Sequence, residues 1–323
     1  MGVERLMQVM YSSNSDSGGQ GYLLTKAMRE CLGWKARTFQ GGVSYLGYPH
    51  DMVEGVTEYD EVVDFAKNTD FFIMQDQYMG KGTLQRFVNP RNSCIHGLGT
   101  PLRTHLSEQL INQLRLHTLI VPPAPDPTIT PYLMASAMFE SLIVDVDRID
   151  ELTREIEKNE EITVCCPVSQ KKEKFIEEAR EQIESLGVRF ETVTQTSWED
   201  TIKIKARAHI ILDPPSDDVC PSLNTWEAIY MRSIPVGPYS AWGYSIHPEL
   251  EIYAKSYNTD TGENKTLIGE VKSAINEMKQ VKREHKLPVR TSLGKDFILR
   301  YYSSERVVQR WKWWIQWALG RGI

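Results

Sequence analysis

What this 323-residue sequence lacks narrows it first. It has five cysteines, Cys31, Cys94, Cys165, Cys166 and Cys220, and no two of them form a CxxC pair or a CxxC…HxxxH pattern. The spacing argues against a disulfide framework and a structural zinc site, and a reducing compartment fits. No apolar run approaches the roughly 20 residues a spanning helix needs, and the N-terminus has no signal-peptide core. A cytoplasmic protein is expected. Positive charge is short as well: 37 Lys and Arg stand against 43 Asp and Glu, a formal net charge of −6. That balance offers no global basic footprint for nucleic acid. No repeat of fixed period runs through the chain.

What is present reads as two α/β halves. RLMQVMY (5–11) is a strand entering a core, and SSNSDSGGQG (12–21) is a glycine-rich loop. The next segment has apolar residues at 23, 24, 27, 28, 31 and 32, which is helical spacing. A strand follows at 35–40, a helix at 60–69, a buried strand at 70–75 and further strands near 92 and 117. The segment 141–160 reads as turn and linker material. The pattern then restarts, with a strand at 161–169, an amphipathic helix at 171–187, and strand, helix and strand from 188 to 215. Such alternation predicts parallel sheets with helices on both faces. Two domains follow, 1–145 and 146–300, with a C-terminal segment at 301–323.

The stretch IILDPPSDDVCPSLNTWEAIYMRSIPVG (210–237) is the most informative. It reads as a strand, a loop rich in turn residues, a short helix with Glu227 near its start, and a Pro-containing turn into another strand. It resembles the donor-nucleotide segment of GT-B glycosyltransferases, family 4 in particular, with its E-A-M-A-x-G-x-P-V helix-turn. IHGLGTPLR (95–103) is similar to an H-G-S-x-x-R element of some short members. SSNSDSGGQG occupies the place of the family's first glycine-rich loop.

The resemblance implies a GT-B fold: two Rossmann-like doubly wound domains facing a cleft, with the C-terminal helix crossing back onto the first. It implies transfer of a sugar from a nucleotide diphosphate sugar to an acceptor hydroxyl, with retention of configuration. Glu227 would hold the ribose hydroxyls, since one carboxylate accepts from two vicinal hydroxyls. Gly18, Gly19, Arg103, Ser169, Lys171, Lys172, Asp218 and Ser222 would complete the donor site, and Asp16 and His96 would carry the chemistry on the acceptor side. The bland reading of Asp16 is a local turn-former, that of Lys171 and Lys172 exposed first-turn lysines, and that of Glu227 an acid on the helix dipole. The one D-x-D, Asp145-Val146-Asp147, falls in the expected linker, so a metal-independent reaction without cofactor is expected. The alternatives are a sugar-nucleotide epimerase, a non-catalytic nucleotide-binding protein of this fold, and, less favoured by the negative charge, a glucosyltransferase acting on modified DNA bases.

The last helix, expected over 306–322, places Val307, Val308, Trp311, Trp314, Ile315 and Ala318 on one stripe, an ordinary core face. Another face carries Arg306, Arg310, Trp313 and Trp317. That stripe suits a membrane headgroup region, giving a peripheral location, or a protein partner; cover by a neighbouring part of the chain is the bland reading.

Overall fold

The computed structural model describes residues 6–44, 46–76, 78–97, 118–121, 137–167, 173–194, 196–213, 221–239, 248–257, 266–284 and 289–320. Arg103, Ser169, Lys171, Lys172 and Asp218 lie outside these residues. The chain divides into two compact units, residues 1–143 with 304–323, and residues 144–303.

In chain order the first unit contains β1 (Gln8–Ser13), α1 (Gln20–Leu32), β2 (Lys35–Gln40), β3 (Met52–Val53), α2 (Tyr59–Lys67), β4 (Phe71–Gln75), β5 (Ser93–His96), β6 (Thr118–Val121) and β7 (Ala137–Phe139). The second contains α3 (Val146–Thr153), β8 (Thr163–Pro167), α4 (Glu173–Glu184), β9 (Arg189–Val193), α5 (Trp198–Arg207), β10 (Ile210–Leu212), α6 (Leu223–Tyr230), β11 (Ile234–Gly237), α7 (Leu250–Tyr253), β12 (Lys255–Ser256), α8 (Leu267–Glu284) and α9 (Val289–Tyr301). The chain then returns to the first unit as α10 (Ser304–Ala318).

The first sheet is parallel throughout, in the order β3-β2-β1-β4-β5-β6-β7. Both of its faces are buried, as a parallel sheet requires. Val9, Tyr11, Ala36, Phe71 and Ile73 face α1 and α10, while Met10, Phe39 and Phe72 face α2. The second sheet is also parallel, in the order β12-β11-β10-β8-β9. Val164, Cys166, Ile210, Leu212, Ile234 and Val236 pack against α4 and α8. Cys165 and Ile211 pack on the other face, with Ala228 of α6.

Helix α10 belongs to the core of the first unit. Val307, Val308, Trp311 and Ile315 are buried against α1, with Trp314 and Ala318 at the margin. Arg310 is not part of a free basic-aromatic stripe: its Nε donates to Glu140 Oε1 at 2.7 Å, and Glu140 also accepts from the Ser141 amide at 2.8 Å. Trp313 and Trp317 remain 39% and 53% exposed. Among the described residues, no helix is long and apolar enough to cross a membrane.

Two features correct the linear reading. The expected linker holds α3, whose start is capped by Asp145 accepting from the Arg148 amide. The D-x-D of the sequence is therefore a helix cap and a first-turn acid. The extended segment Ala137–Phe139 is a seventh strand that carried no strand signature of its own.

Trp311 is 1% exposed at the contact of α10 with α1 and His96. Trp311→Ala is expected to cost about 3–5 kcal/mol, read as a lowered midpoint in urea unfolding of the whole chain.

Candidate functional site

In open parallel sheets, ligands bind beyond the C-terminal strand ends where the strand order reverses. Here the reversals fall between β1 and β4 in the first unit and between β8 and β10 in the second.

At the first reversal, Asp16 lies in the loop after β1 and is 1% exposed. Its Oδ1 accepts from the Gly21 amide at 2.7 Å and its Oδ2 from the Tyr22 amide at 2.8 Å. Burial raises its pKa to about 6, against the lowering effect of those two bonds. The carboxylate thus neutralises the positive end of α1 from within the protein. This corrects two expectations. Asp16 has both oxygens committed to capping, so it is not poised as a base. Gly18 and Gly19 shape the turn into the helix, and three of the amides there are taken: Gly19 donates to the Asp16 carbonyl at 3.2 Å, and Gly21 and Tyr22 serve the carboxylate. Close approach explains the glycines. A Cβ on Gly21 would stand 2.5 Å from the Tyr11 ring, and one on Gly19, which has φ +69°, 2.4 Å from the Tyr48 ring.

His96 ends β5, in register with Gln75 of β4. Its Nδ1 lies 2.9 Å from the Tyr11 hydroxyl, and its ring stands edge-on to Trp311, with centroids 5.2 Å apart. Burial lowers its pKa to about 3. A neutral imidazole is therefore in place at physiological pH, and a cationic phosphate contact is not. Burial first, then the charges of Asp16 and Asp76, push the Tyr11 phenol well above its usual value. Asp76 is a residue the sequence reading missed. It follows β4 directly, at the reversal point, with φ 49°, and its amide donates to the His96 carbonyl at 3.1 Å. An acid placed immediately after the buried run FFIMQ was the available signal.

The second reversal is bordered by Asp213, just after β10, and by the start of α6. Ser222 caps α6 by accepting from the Asn224 amide at 3.1 Å, and its hydroxyl donates to Asp213 at 2.7 Å. Thr225 donates to Asp213 Oδ2 at 2.6 Å and lies 3.0 Å from the Tyr239 hydroxyl. The Tyr257 hydroxyl donates to the Asp213 carbonyl at 2.7 Å. Asp213 thus organises the strand end and the helix start together; the sequence reading carries it only as part of a strand running to 215, whereas the strand ends at Leu212.

Glu227 lies elsewhere than expected. It is 3% exposed; Oε1 accepts from Trp198 Nε1 at 2.8 Å, and Oε2 forms an ion pair with the fully buried Lys205. Lys205 also donates to Asn224 Oδ1 at 2.9 Å. Trp198 and Lys205 lie two turns apart on α5, so the second turn of α6 points Glu227 at that helix and not at the strand ends. The ribose role is corrected accordingly: this carboxylate joins two helices. In the turn after α6 the left-handed residue is Arg232, at φ 60°. Ser233 is buried, donating to the Ala208 carbonyl at 3.0 Å and accepting from Lys158 at 2.7 Å.

Two measurements check these assignments. Removing one member of a buried pair strands the other, so Glu227→Ala is expected to cost about 3–5 kcal/mol, while Glu227→Leu with Lys205→Met recovers most of it in urea unfolding. Folding raises the Asp16 pKa from 3.8 to about 6, so the folded state holds that proton more tightly. Its contribution to stability is complete below about pH 4 and is lost as pH rises through about 6. Relative to Asp16→Asn, the wild type is expected to lose up to roughly 3 kcal/mol across that range; a flat difference between the two unfolding curves would refute the assignment.

No protein-family model matches the chain, and no curated protein sequence matches it. Solved structures do. A glycosyltransferase from Rickettsia africae superposes with a TM-score of 0.66 at 8% sequence identity, over 98% of this chain and 99% of the other. Anabaena HepE, solved with UDP, gives 0.60 at 11%, over 95% and 98%. A putative UDP-N-acetylglucosamine 2-epimerase from Listeria monocytogenes gives 0.57 at 10%, over 99% and 98%. With both parallel sheets accounted for along its full length, this chain has the GT-B fold.

Proposed function

We propose that the protein is a glycosyltransferase that takes a sugar from a UDP-sugar and passes it to an acceptor hydroxyl. The observation that supports this is the pairing of the fold with its neighbours' ligands: HepE has been solved with UDP, with UDP and glucose, and with UDP-glucose. The second unit takes the donor. Its diphosphate lies beyond β8 and β10, near the start of α6, where Ser222 and Thr225 are already oriented by Asp213. On the family resemblance alone, Ser169, Lys171 and Lys172, which follow β8 in sequence, Asp218, which follows β10, and Arg103 are assigned to donor binding.

In the reaction, an acceptor oxygen forms a bond to the anomeric carbon as the bond from that carbon to the diphosphate oxygen breaks. The electron pair leaves with UDP, and the acceptor proton passes to the departing phosphate oxygen on the same face of the sugar, so configuration is retained. Lysines and helix-end amides offset the developing charge without a metal. The neutral His96 and the neighbouring Tyr11 and Asp76 orient the acceptor side.

The resemblance to family 4 leaned on Glu227, a carboxylate now engaged with Lys205, so the finer family assignment carries less weight than the reaction class. Epimerisation is the second reading, favoured by the Listeria neighbour, which covers nearly the whole chain.

Calorimetry with UDP, followed by NMR of UDP-glucose and UDP-N-acetylglucosamine incubated with enzyme and glycoside acceptors, separates these readings. Transfer or slow hydrolysis with UDP release, unchanged within about twofold by EDTA, is expected for a metal-independent transferase. Conversion of UDP-N-acetylglucosamine to its C2 epimer, without UDP release, would replace the proposal with the second reading. Failure to bind UDP would remove both.

A further inference from the structure

Buried polar groups in folded proteins nearly always have hydrogen-bond partners, because an unpaired one has given up its hydration for nothing. Two side chains at the C-terminal ends of β1 and β2 break that rule. Ser13 and Gln40 are register partners across the two strands, and both are completely buried. Among the described residues, neither the Ser13 hydroxyl nor either end of the Gln40 amide has a hydrogen-bond partner. Alternation along the strands puts them on the face of Tyr11, the face covered by α1. The glycine turn at Ser17–Gly19 and the Tyr48 ring resting on Gly19 lie at the same end of that sheet.

The place has a meaning in this topology. In sheets whose core order is 3-2-1-4-5-6, the glycine turn after the first strand takes a pyrophosphate on the helix N-terminus. The side chain ending the second strand, about 20 residues on, holds ribose hydroxyls. The first sheet has that order, and Gln40 is its last β2 residue. Its phosphate half is filled, however: the Asp16 carboxylate already sits on the α1 amides, and a second anion there meets repulsion. In the hydroxyl-binding half, the side-chain polar groups are buried and have no such partner among the described residues. There, an uncharged amide with two donors and one acceptor stands beside a hydroxyl that both gives and takes. Such a pair matches neighbouring hydroxyls and has no preference for charge.

We propose that Ser13 and Gln40 hold two vicinal hydroxyls of an uncharged sugar ring, which makes the acceptor a neutral carbohydrate and not a nucleotide or a phosphorylated compound. The word acceptor rests on the transferase reading; the binding itself does not.

The test uses the whole chain, with Gln40→Met and Ser13→Ala as variants. The probes are methyl glucoside, galactoside, mannoside and N-acetylglucosaminide, with ADP-ribose and NAD as the nucleotide arm. Thermal unfolding of the free protein is expected to show both variants melting at or above the wild type, because each removes an unpaired polar group. At about 50 mM, at least one methyl glycoside is expected to raise the wild-type Tm by a few degrees, and to leave Gln40→Met unmoved. ADP-ribose and NAD are expected to give no shift that depends on Gln40, and UDP affinity by calorimetry is expected to be the same in all three proteins.

The proposal is overturned if both variants melt below the wild type, since the groups are then bonded in solution, as by an internal water. It is also overturned if no glycoside shifts the wild type, if the shift survives in Gln40→Met, or if the nucleotide arm alone depends on Gln40. Loss of UDP binding with the glycoside shift intact would sink the transferase reading and leave this site standing.

Discussion

Parallel strand pairing is the constraint from which the rest follows. Consecutive parallel strands need a crossover, and the crossovers return every strand in the same direction. All strand C-termini of a unit therefore open on one side, and the loops that follow them gather there. Where the order reverses, neighbouring loops diverge and leave a crevice. Asp16, Asp76 and His96 are brought together at one such point, and Asp213, Ser222 and Thr225 at the other. His96 lies 20 residues after Asp76, and the β4–β5 register brings the two together; Asp213 meets Ser222 and Thr225 across the shorter span from β10 to α6.

Burial then decides what each acid can do. A carboxylate removed from water needs compensation, and both acids singled out by motif find it inside the protein. Asp16 is compensated by two amides and the helix end, and Glu227 by Lys205 and Trp198. A motif match records that a residue type stands at a spacing. It does not record which face of a two-turn helix ends up against a neighbour. In α6 the difference between Thr225 and Glu227 is two residues, about 200° around the helix axis. One reaches Asp213 at the strand end and the other reaches α5.

The elements with strong local signatures were legible. The strand β4, an unbroken apolar run, and the α1 stripe from Leu23 to Leu32 follow from periodicity alone. So does the inward face of α10, whose Val307, Val308, Trp311 and Ile315 all lie in the core. What was not legible depends on contacts distant in sequence. The helix α3 has only eight residues and looked like linker because its apolar side is two residues wide, Val146 and Ile149. Arg310 read as exposed until Glu140, 170 positions away, took its guanidinium. Gln40 and Ser13 are not legible in the sequence because serine and glutamine carry no pattern; their significance is a property of burial without partners among the described residues.

The first unit therefore combines two opposite uses of buried polarity. At the α1 N-terminus, a buried charge is matched by the protein's own amides, which closes an anion site that the topology would otherwise offer. One strand over, buried neutral groups are left unmatched. The two facts constrain each other: a carboxylate on the helix end repels a charged ligand from the turn, while the amide at the end of β2 carries no charge. Selectivity between a nucleotide and a plain sugar would then come from the carboxylate at the helix end as much as from the unpaired neutral groups, in the manner of specificity built by repulsion beside attraction. Raising the pKa of Asp16 to about 6 adds a further consequence. Near neutral pH the acid is mostly ionised and the barrier to anions is in force; below about pH 5 it is mostly protonated, and the distinction between charged and neutral ligands at this strand end weakens.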